Sequence, residues 1–592
     1  MTFPESKGKL ITHLMHKSLL HVVLLIVISA AVYLNSLSHD FVFDDMGTIV
    51  ENKYIKDLRQ NLPSFFNTTY FKISGGEASY RPIATLAYFL IYTISNLNPF
   101  GYHLGSLLFH TVNVILVYVL VNLIQKNKTT SLIAGLLFAL HPVLTEAVNC
   151  ISFNEDLLTT LFFIVSLLLY SKVKADDAKP RIQLYFLALL FFLLALLSKE
   201  MAITLPAIIL LYDLTFREFR NNRASLKFIK DTIRDRKYYY LGYIATAVFY
   251  LSLRFIFLTN PKASATGTYG SLAERIIYLP DHIFSFIKLV FFPLNLNADY
   301  IFSYPESPFE IVNIVSFIIL VGLIGFSFYV YKGSKEVSFG IWWFFVTLLP
   351  VSNLIEIMNP LADRYLYLPT VGFCIAISNL FVKIPSKISL LNINKPKIVG
   401  FFVFLLVVFY SLITINRNGD WKDNFSLWSA TLKRSPNSPG AHSNLGRVYL
   451  EQGLLEAAIH EFETAIKIDP GAYKAHYNLG VAYEKQGLYE EAIHHYKKVV
   501  RINPKYVDAY YNLANIFTKR GLLPQAAAAY RKVIELEAND FEARNNLGVV
   551  YAMQGQLDKA IQEWGKVLEI DPQNQNAIEN LKKAKNIKNQ TK

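Results

Sequence analysis

Eleven apolar stretches, near residues 19–37, 101–124, 130–148, 155–173, 182–197, 201–214, 238–258, 310–331, 337–351, 363–382 and 398–415, fill most of the first 415 residues of this chain. Stretches of this kind are long enough to cross a bilayer. Inside hydrocarbon no water satisfies a peptide group, so the chain must form helices or a closed barrel, and runs of this length point to helices. With 53% hydrophobic and 17% charged residues, the composition excludes an ordinary soluble protein, which sits near a quarter charged. It also excludes a disordered chain, which cannot be so apolar. A twelfth stretch, about 276–292, is interrupted by Pro280, Asp281, His282 and Lys288 and reads as a helix at the membrane interface. The first stretch is too long for a signal peptide and has no small-residue cleavage site.

With the N-terminus in the cytoplasm, the inner segments 1–18, 125–129, 171–181, 215–237, 332–336 and 383–397 hold 23 lysines and arginines in 77 residues. Eight of them lie in 215–237: Arg217, Arg220, Arg223, Lys227, Lys230, Arg234, Arg236 and Lys237. Basic residues flanking spans mark the cytoplasmic side, so this orientation is expected, with the C-terminal region outside. That means the cytoplasmic membrane of a prokaryote, or the endoplasmic reticulum of a eukaryote with the C-terminal region in its lumen. The net charge of +13 would suit a nucleic-acid binder, but residues 437–592 carry 20 basic against 18 acidic residues. The excess belongs to the loops between spans, and no nucleic-acid partner is expected. Cys150 and Cys374 are too few and too far apart for a disulfide framework or zinc site and read as small buried hydrophobes.

From about residue 437 a 34-residue period replaces the spans. Asn444-Leu445-Gly446, Asn478-Leu479-Gly480, Asn512-Leu513-Ala514 and Asn546-Leu547-Gly548 obey it. So do Gly453, Gly487, Gly521 and Gly555, and Phe462, Tyr496, Tyr530 and Trp564. Pro470, Pro504 and Pro572 fit, with Ala538 the exception. This is the tetratricopeptide (TPR) signature. Small residues let two antiparallel helices approach, aromatics fill the gap between hairpins, and Pro ends the second helix. The expected organisation is a transmembrane domain over 1–418, a junction and half-repeat over 419–438 that includes Trp428 and Pro436, and four repeats over 439–574. The repeats are 439–472, 473–506, 507–540 and 541–574, with a capping helix and tail over 575–592. The fold class is all-α: about eleven spans followed by a TPR solenoid.

Charge near lipid is expensive and marks function. On the expected outer side lie Asp44-Asp45 after Phe41 and Phe43, Arg81 in Tyr80-Arg81-Pro82, His141 and Glu146, Glu155-Asp156, Lys199-Glu200, Asp299-Tyr300, and Arg364-Tyr365. Arg254 lies in the outer half of an otherwise apolar span. Carboxylates converging with Arg and Lys suit chemistry on an anionic, lipid-soluble molecule.

Several motifs together resemble the transmembrane and TPR-containing O-mannosyltransferases and their prokaryotic relatives, a GT-C glycosyltransferase family similar to protein O-mannosyltransferases. They are 41–45, Tyr80-Arg81-Pro82, Asn98-Pro99-Phe100-Gly101-Tyr102-His103, 141–148, Leu197-Ser198-Lys199-Glu200, Leu349-Pro350-Val351-Ser352-Asn353, 364–369 and Asp420-Trp421. The resemblance implies a GT-C-like membrane domain, a polyprenyl-phosphate hexose donor, mannose-like, and an acidic motif in the first outer loop. The expected activity is transfer, with inversion, to a hydroxyl, typically Ser or Thr of an acceptor protein. Such a displacement needs a base for the hydroxyl proton. Asp44 or Asp45 can serve, the other orienting the hydroxyl; Asp45, farther from the span that fixes the loop, is the expectation. Arg81, Lys199, Arg254 and Arg364 are the candidates for holding the donor phosphate. His103, His141, Glu146, Glu155, Asp156, Glu200, Asp299, Tyr300 and Tyr365 are candidates for lining the site. A monophosphate leaving group can be neutralised by side chains, so no cofactor beyond the lipid-linked donor and no divalent metal is expected. For Asp44-Asp45 the competing reading is a solvated turn or cap, and for His141 a hydrogen bonder at a helix end.

The ladder Asn444, Asn478, Asn512 and Asn546 resembles one in O-linked N-acetylglucosamine transferases, which implies a grip on extended acceptor peptide; the alternative is inter-repeat hydrogen bonding. Tethering a captured acceptor beside the site raises its local concentration. Two further readings compete. A non-enzymatic TPR scaffold for envelope proteins leaves the charged cluster idle. A transporter would line a path through the middle with its charges.

Overall fold

The computed structural model describes the chain except residues 1–4, 53–54, 58–60, 68–69, 71–79, 174–180, 218–225, 259–270, 302–306, 358, 384–394 and 591–592. Arg220, Arg223 and most of the basic stretch 383–397 therefore lie outside the described residues. The described elements are all helical. They form two compact units, residues 1–430 and 431–592, parting inside helix Asn424–Arg434.

Among the described residues of the first unit six helices are long and apolar enough to span a membrane: Ser18–Ser38, Pro99–Gln125, Ile151–Ser171, Ile229–Phe257, Ile311–Tyr331 and Val399–Asp420. Lys128–Leu140 and Pro142–Asn149, bent by 50° to each other, are apolar enough together to make either a broken span or a re-entrant loop. The remaining expected spans correspond to shorter helices, including Ile182–Ser198, Leu205–Phe216, Lys335–Leu348 and Pro369–Lys383. The bend falls where Pro142 opens a 3-10 turn and His141 Nδ1 accepts from the Val143 backbone N–H at 3.3 Å. Short turns then carry the chain through 141–153, wholly buried, into helix Asn154–Ser171. Backbone that leaves a helix at this depth is tolerated only when protein surrounds it.

Helices Lys335–Leu348 and Pro369–Lys383 touch backbone to backbone at two glycines. A Cβ on Gly340 would stand 2.5 Å from the Gly372 carbonyl oxygen, and one on Gly372 as close to that of Gly340. Small residues permit such crossings where no hydrophobic effect drives helices together. Trp343 Nε1 donates to the Leu368 carbonyl at 3.1 Å and closes the same contact. Asn418 ties the last span to the first, donating to the Val32 carbonyl and to Asn35 Oδ1, both at 2.9 Å. The stretch expected to lie in the interface forms helix Leu279–Phe291, whose His282, Ile283, Phe286, Ile287, Leu289 and Val290 are buried.

At the opposite end of helix Asn154–Ser171 is a polar cluster that the sequence reading missed. Buried Asp213 accepts from Tyr170 Oη at 2.5 Å and Tyr240 Oη at 2.8 Å, and pairs with Arg217 at 2.5 Å. Arg217 donates to the carbonyls of Val173 and Tyr170, and Arg236 to that of Val173. Two arginines read only as markers of orientation thus cap a helix end whose carbonyls have no partner within the helix.

The second unit is four helical hairpins, Pro439–Glu451 with Leu455–Ile468, Tyr473–Lys485 with Tyr489–Ile502, Val507–Lys519 with Leu523–Leu536, and Phe541–Met553 with Leu557–Ile570, closed by Gln575–Gln590. The TPR array is as the period required. Gly453, Gly487, Gly521 and Gly555 take φ between 71° and 79°, the left-handed turn between the two helices of each hairpin. The periodic aromatics pack within hairpins: a Cβ on Gly446 would meet the Phe462 ring at 2.7 Å, and one on Gly548 the Trp564 ring at 2.6 Å.

Candidate functional site

The loop after the first span makes a tight turn at Phe43, whose φ of 54° is unusual for a residue with a side chain. The Phe43 backbone N–H donates to Asn424 Oδ1 at 2.9 Å, and its ring meets Trp428 edge-on, with centroids 5.3 Å apart. Phe41 packs on Tyr102. Both phenylalanines pack against other aromatic side chains.

The turn sends the two carboxylates different ways. Asp45 is fully buried. Its Oδ1 accepts from the Ser152 backbone N–H at 2.7 Å and is approached by the Cys150 thiol at 3.5 Å; its Oδ2 accepts from the Val42 backbone N–H at 3.1 Å. Burial pushes the Asp45 carboxyl up to about 6, against the pull of these hydrogen bonds. Asp44 is exposed, and its charge acts on Arg364. A one-turn π-helix, Met46–Val50, follows, and a second, Leu253–Phe257, carries Arg254. π-Turns are rare and cluster at functional sites.

Six of the expected residues form one chain of alternating charge. Arg254 Nη1 meets Glu200 Oε2 at 3.2 Å; Glu200 Oε1 lies 3.7 Å from Arg81 Nη2; Arg81 Nη1 pairs with Glu155; Lys199 Nζ reaches Glu155 at 3.1 Å and Asp156 at 2.7 Å. Exposure is greatest at Glu200, 40%, intermediate at Arg81 and Arg254, 15% and 12%, and only 4–5% at Glu155, Lys199 and Asp156. Glu155 and Asp156 open helix Asn154–Ser171, where the helix dipole also favours negative charge. Burial pushes the Glu200 carboxyl up, but Arg81 and Arg254 outweigh it and hold it down to about 2.

Arg364 forms a second pair. Its Nη1 meets Glu146 Oε1 at 2.5 Å and its backbone N–H donates to Glu146 Oε2 at 2.8 Å. The guanidinium lies 4.3 Å from the Phe153 ring centroid and 5.0 Å from that of Tyr365; Lys199 lies 5.6 Å from the same Tyr365 ring. A third pair went unrecognised in the sequence. Asp363 accepts from Tyr300 Oη at 2.5 Å and faces Arg417 at 3.5 Å, and Arg417 also pairs with Asp420 at 2.8 Å. Arg417 looks in the sequence like a flank of the last span; only its neighbour Asp420-Trp421 hinted otherwise.

The remaining candidates fall outside these pairs. The Asp299 backbone carbonyl accepts from Asn297 Nδ2 at 3.1 Å. His103 is buried edge-on against His39. His141 caps the turn at the bend and packs on Phe373 and Tyr410, which is the hydrogen-bonding alternative weighed for it. Among the described residues no three His, Cys, Asp or Glu are grouped to hold a metal ion. In the repeat array, Asn512 Nδ2 donates to Tyr477 Oη at 3.2 Å and Asn546 Nδ2 to Tyr511 Oη at 3.0 Å, so two rungs of the asparagine ladder make inter-repeat bonds. The residue 35 before Asn478 is Ser443, too short to do the same.

The sequence model described as "Dolichyl-phosphate-mannose-protein mannosyltransferase" matches residues 81–232, beginning at Arg81. A tetratricopeptide-repeat model matches 417–473, 443–507, 477–539 and 511–575. Among curated proteins the chain is similar to "Protein O-mannosyl-transferase TMTC3" of Homo sapiens, 28% identical over 485 residues, covering 76% of this chain and 52% of that protein. It is similar to "Protein O-mannosyl-transferase F38B6.6" of Caenorhabditis elegans, 27% identical and covering 78% and 64%. "Protein O-mannosyl-transferase TMTC2" of Homo sapiens is 26% identical, covering 74% and 61%. The matched region thus spans between half and two thirds of these relatives.

Proposed function

We infer, from its likeness to the transmembrane and TPR-containing O-mannosyltransferases, that this chain moves a hexose, mannose-like, from a polyprenyl phosphate to a hydroxyl on the non-cytoplasmic face of its membrane. Residues 1–418 are the transferase part and 439–574 the part that collects an acceptor protein. The acceptor oxygen attacks the anomeric carbon from the face opposite the phosphate, so the configuration inverts. As that C–O bond forms, the bond to the phosphate oxygen breaks. The hydroxyl proton passes to Asp44, and the lipid phosphate leaves with the electron pair.

The observation that supports this reading best is the contrast between neighbours: Asp44 is exposed, whereas both oxygens of Asp45 are taken by buried donors. A base must reach its proton. Asp44 takes that role, in place of the expected Asp45, and Asp45 becomes the residue that holds the loop. Arg81, Lys199, Arg254 and Arg364 supply the positive charge for the departing phosphate, in a setting where charge-assisted hydrogen bonds are strong. No metal is called for.

A mass comparison of glycoproteins from cells with and without the gene tests the reading: loss of hexose from a set of proteins supports it, and identical spectra contradict it. The eleven-span orientation has its own test. A reporter fused after Lys592 is expected to be active only outside the cytoplasm, and a cytoplasmic signal contradicts that orientation.

A further inference from the structure

We propose that Glu200 is a built-in stand-in for the lipid phosphate: its carboxylate occupies the place between Arg81 and Arg254 that the phosphate takes, gives way as donor arrives, and returns to expel the spent lipid. This rests on the donor reading above and goes beyond it by giving the site a means of release.

Three features single Glu200 out. It is the most exposed member of the charged chain, and its contacts, 3.2 and 3.7 Å, are longer than those of Lys199 with Asp156 and Glu155, 2.7 and 3.1 Å. It is the loosest link. Next, it lies in a joint, not within a helix. Lys199 is extended between helices Ile182–Ser198 and Leu205–Phe216, and Glu200 begins the 3-10 turn Glu200–Thr204, so the backbone that carries it is a connection between two helices. Third, one of the cations it bridges, Arg254, keeps capacity for another anion. Tyr250 Oη holds Arg254 Nη1 at 3.0 Å, while Arg254 Nε is buried without a hydrogen-bond partner among the described residues.

The charges explain what such a residue is for. A phosphodiester donor carries one negative charge and two non-bridging oxygens, so it replaces a carboxylate between two guanidiniums one for one. After transfer the lipid keeps a phosphate monoester, which carries more negative charge and would bind the same arginines more tightly than the donor did. Release would then limit turnover. A tethered carboxylate competes at high effective concentration and weakens both lipids.

The test uses the full chain in lipid nanodiscs and undecaprenyl phosphate as the probe. Glu200→Gln is expected to bind it about tenfold more tightly than wild type, the factor by which a site nine-tenths self-occupied weakens its ligand. In steady-state transfer kcat and the donor KM are expected to fall together. Binding equal to or weaker than wild type would overturn the proposal. If Glu200→Gln does not fold, Glu200→Asp, which withdraws the carboxylate by one methylene, is expected to tighten binding in the same direction, and unchanged or weaker binding overturns the idea equally. If neither folded wild type nor folded variant binds undecaprenyl phosphate, the donor reading itself fails, and this inference with it.

Discussion

The Ser152 backbone N–H donates to Asp45 Oδ1 at 2.7 Å, across 107 residues of sequence, and so ties the loop after the first span to the turn before helix Asn154–Ser171. With the Val42 N–H on its other oxygen, Asp45 is a clasp. Asp45→Asn keeps one accepting oxygen but turns an NH2 group towards the second buried N–H. The expected cost is about 1–3 kcal/mol of stability, read as a lowered unfolding temperature of the full chain in detergent. Asp44→Asn, at an exposed position, is expected to leave that temperature unchanged.

The glycine contact beneath the Arg364 loop is as strict. A Cβ at Gly340 would stand 2.5 Å from the Gly372 oxygen and 2.8 Å from the Ala376 nitrogen, both backbone atoms that cannot rotate away. Gly340→Ala is expected to cost about 1–3 kcal/mol, in the range of overpacked cores. It should also lower transfer, because the helix it displaces follows 363–366 directly. Unchanged stability in a thermal unfolding assay would mean the two helices are not held at this distance.

In the array, the two ladder asparagines that bond to tyrosine should matter for folding. Asn512→Ala and Asn546→Ala each lose an amide donor to Tyr477 or Tyr511 and are expected to cost about 1 kcal/mol in urea unfolding of a fragment spanning 431–592. Asn444→Ala should cost less, since Asn444 makes no side-chain hydrogen bond among the described residues. If Asn444 and Asn478 grip acceptor peptide, their loss weakens capture with stability unchanged.

The second hairpin is expected to be acid-sensitive. His476 and His495 face each other Nδ1 to Nδ1 at 3.0 Å, where the first hairpin has His442 on Glu461 at 2.6 Å. Burial, and then the charges of His476 and His494, lower His495 to about 4. An unfolded histidine titrates near 6.5. Between these values the unfolded chain binds a proton that the folded hairpin refuses, so stability falls as pH drops from about 6.5 towards 4. The unfolding temperature of the 431–592 fragment should fall over that window, and His495→Glu should flatten the fall. A pH-independent wild type would contradict the pairing.

Much of this architecture was legible because periodicity and apolarity are local signals. The repeat array followed from the 34-residue period, in which Gly453 and its counterparts take left-handed turns that only glycine adopts cheaply. The bend at His141-Pro142 was harder, because apolar residues continue through it and the proline alone does not say that the span breaks. The charged residues of the site could be collected as residues too costly to leave in lipid without purpose, yet their pairing could not. Arg254, Glu200 and Arg81 come from three distant segments. Arg417 was hidden by its position at the end of a span. Between Asp44 and Asp45 the sequence offers only distance from the span, which favours Asp45. What divides them is the φ of Phe43, held by Asn424, and the buried N–H groups of Val42 and Ser152, none of which two adjacent aspartates reveal.

Transfer of radiolabelled mannose from a mannosyl polyprenyl phosphate to a Ser/Thr-rich acceptor peptide, by the full chain in nanodiscs, tests the base most directly. Wild type is expected to label the peptide, and Asp44→Asn to do so about 10²–10⁴ times more slowly while still binding donor, the range for loss of a general base. Transfer by Asp44→Asn at the wild-type rate would contradict the assignment of Asp44, and no transfer by folded wild type from any hexosyl lipid donor would contradict the glycosyltransferase reading itself.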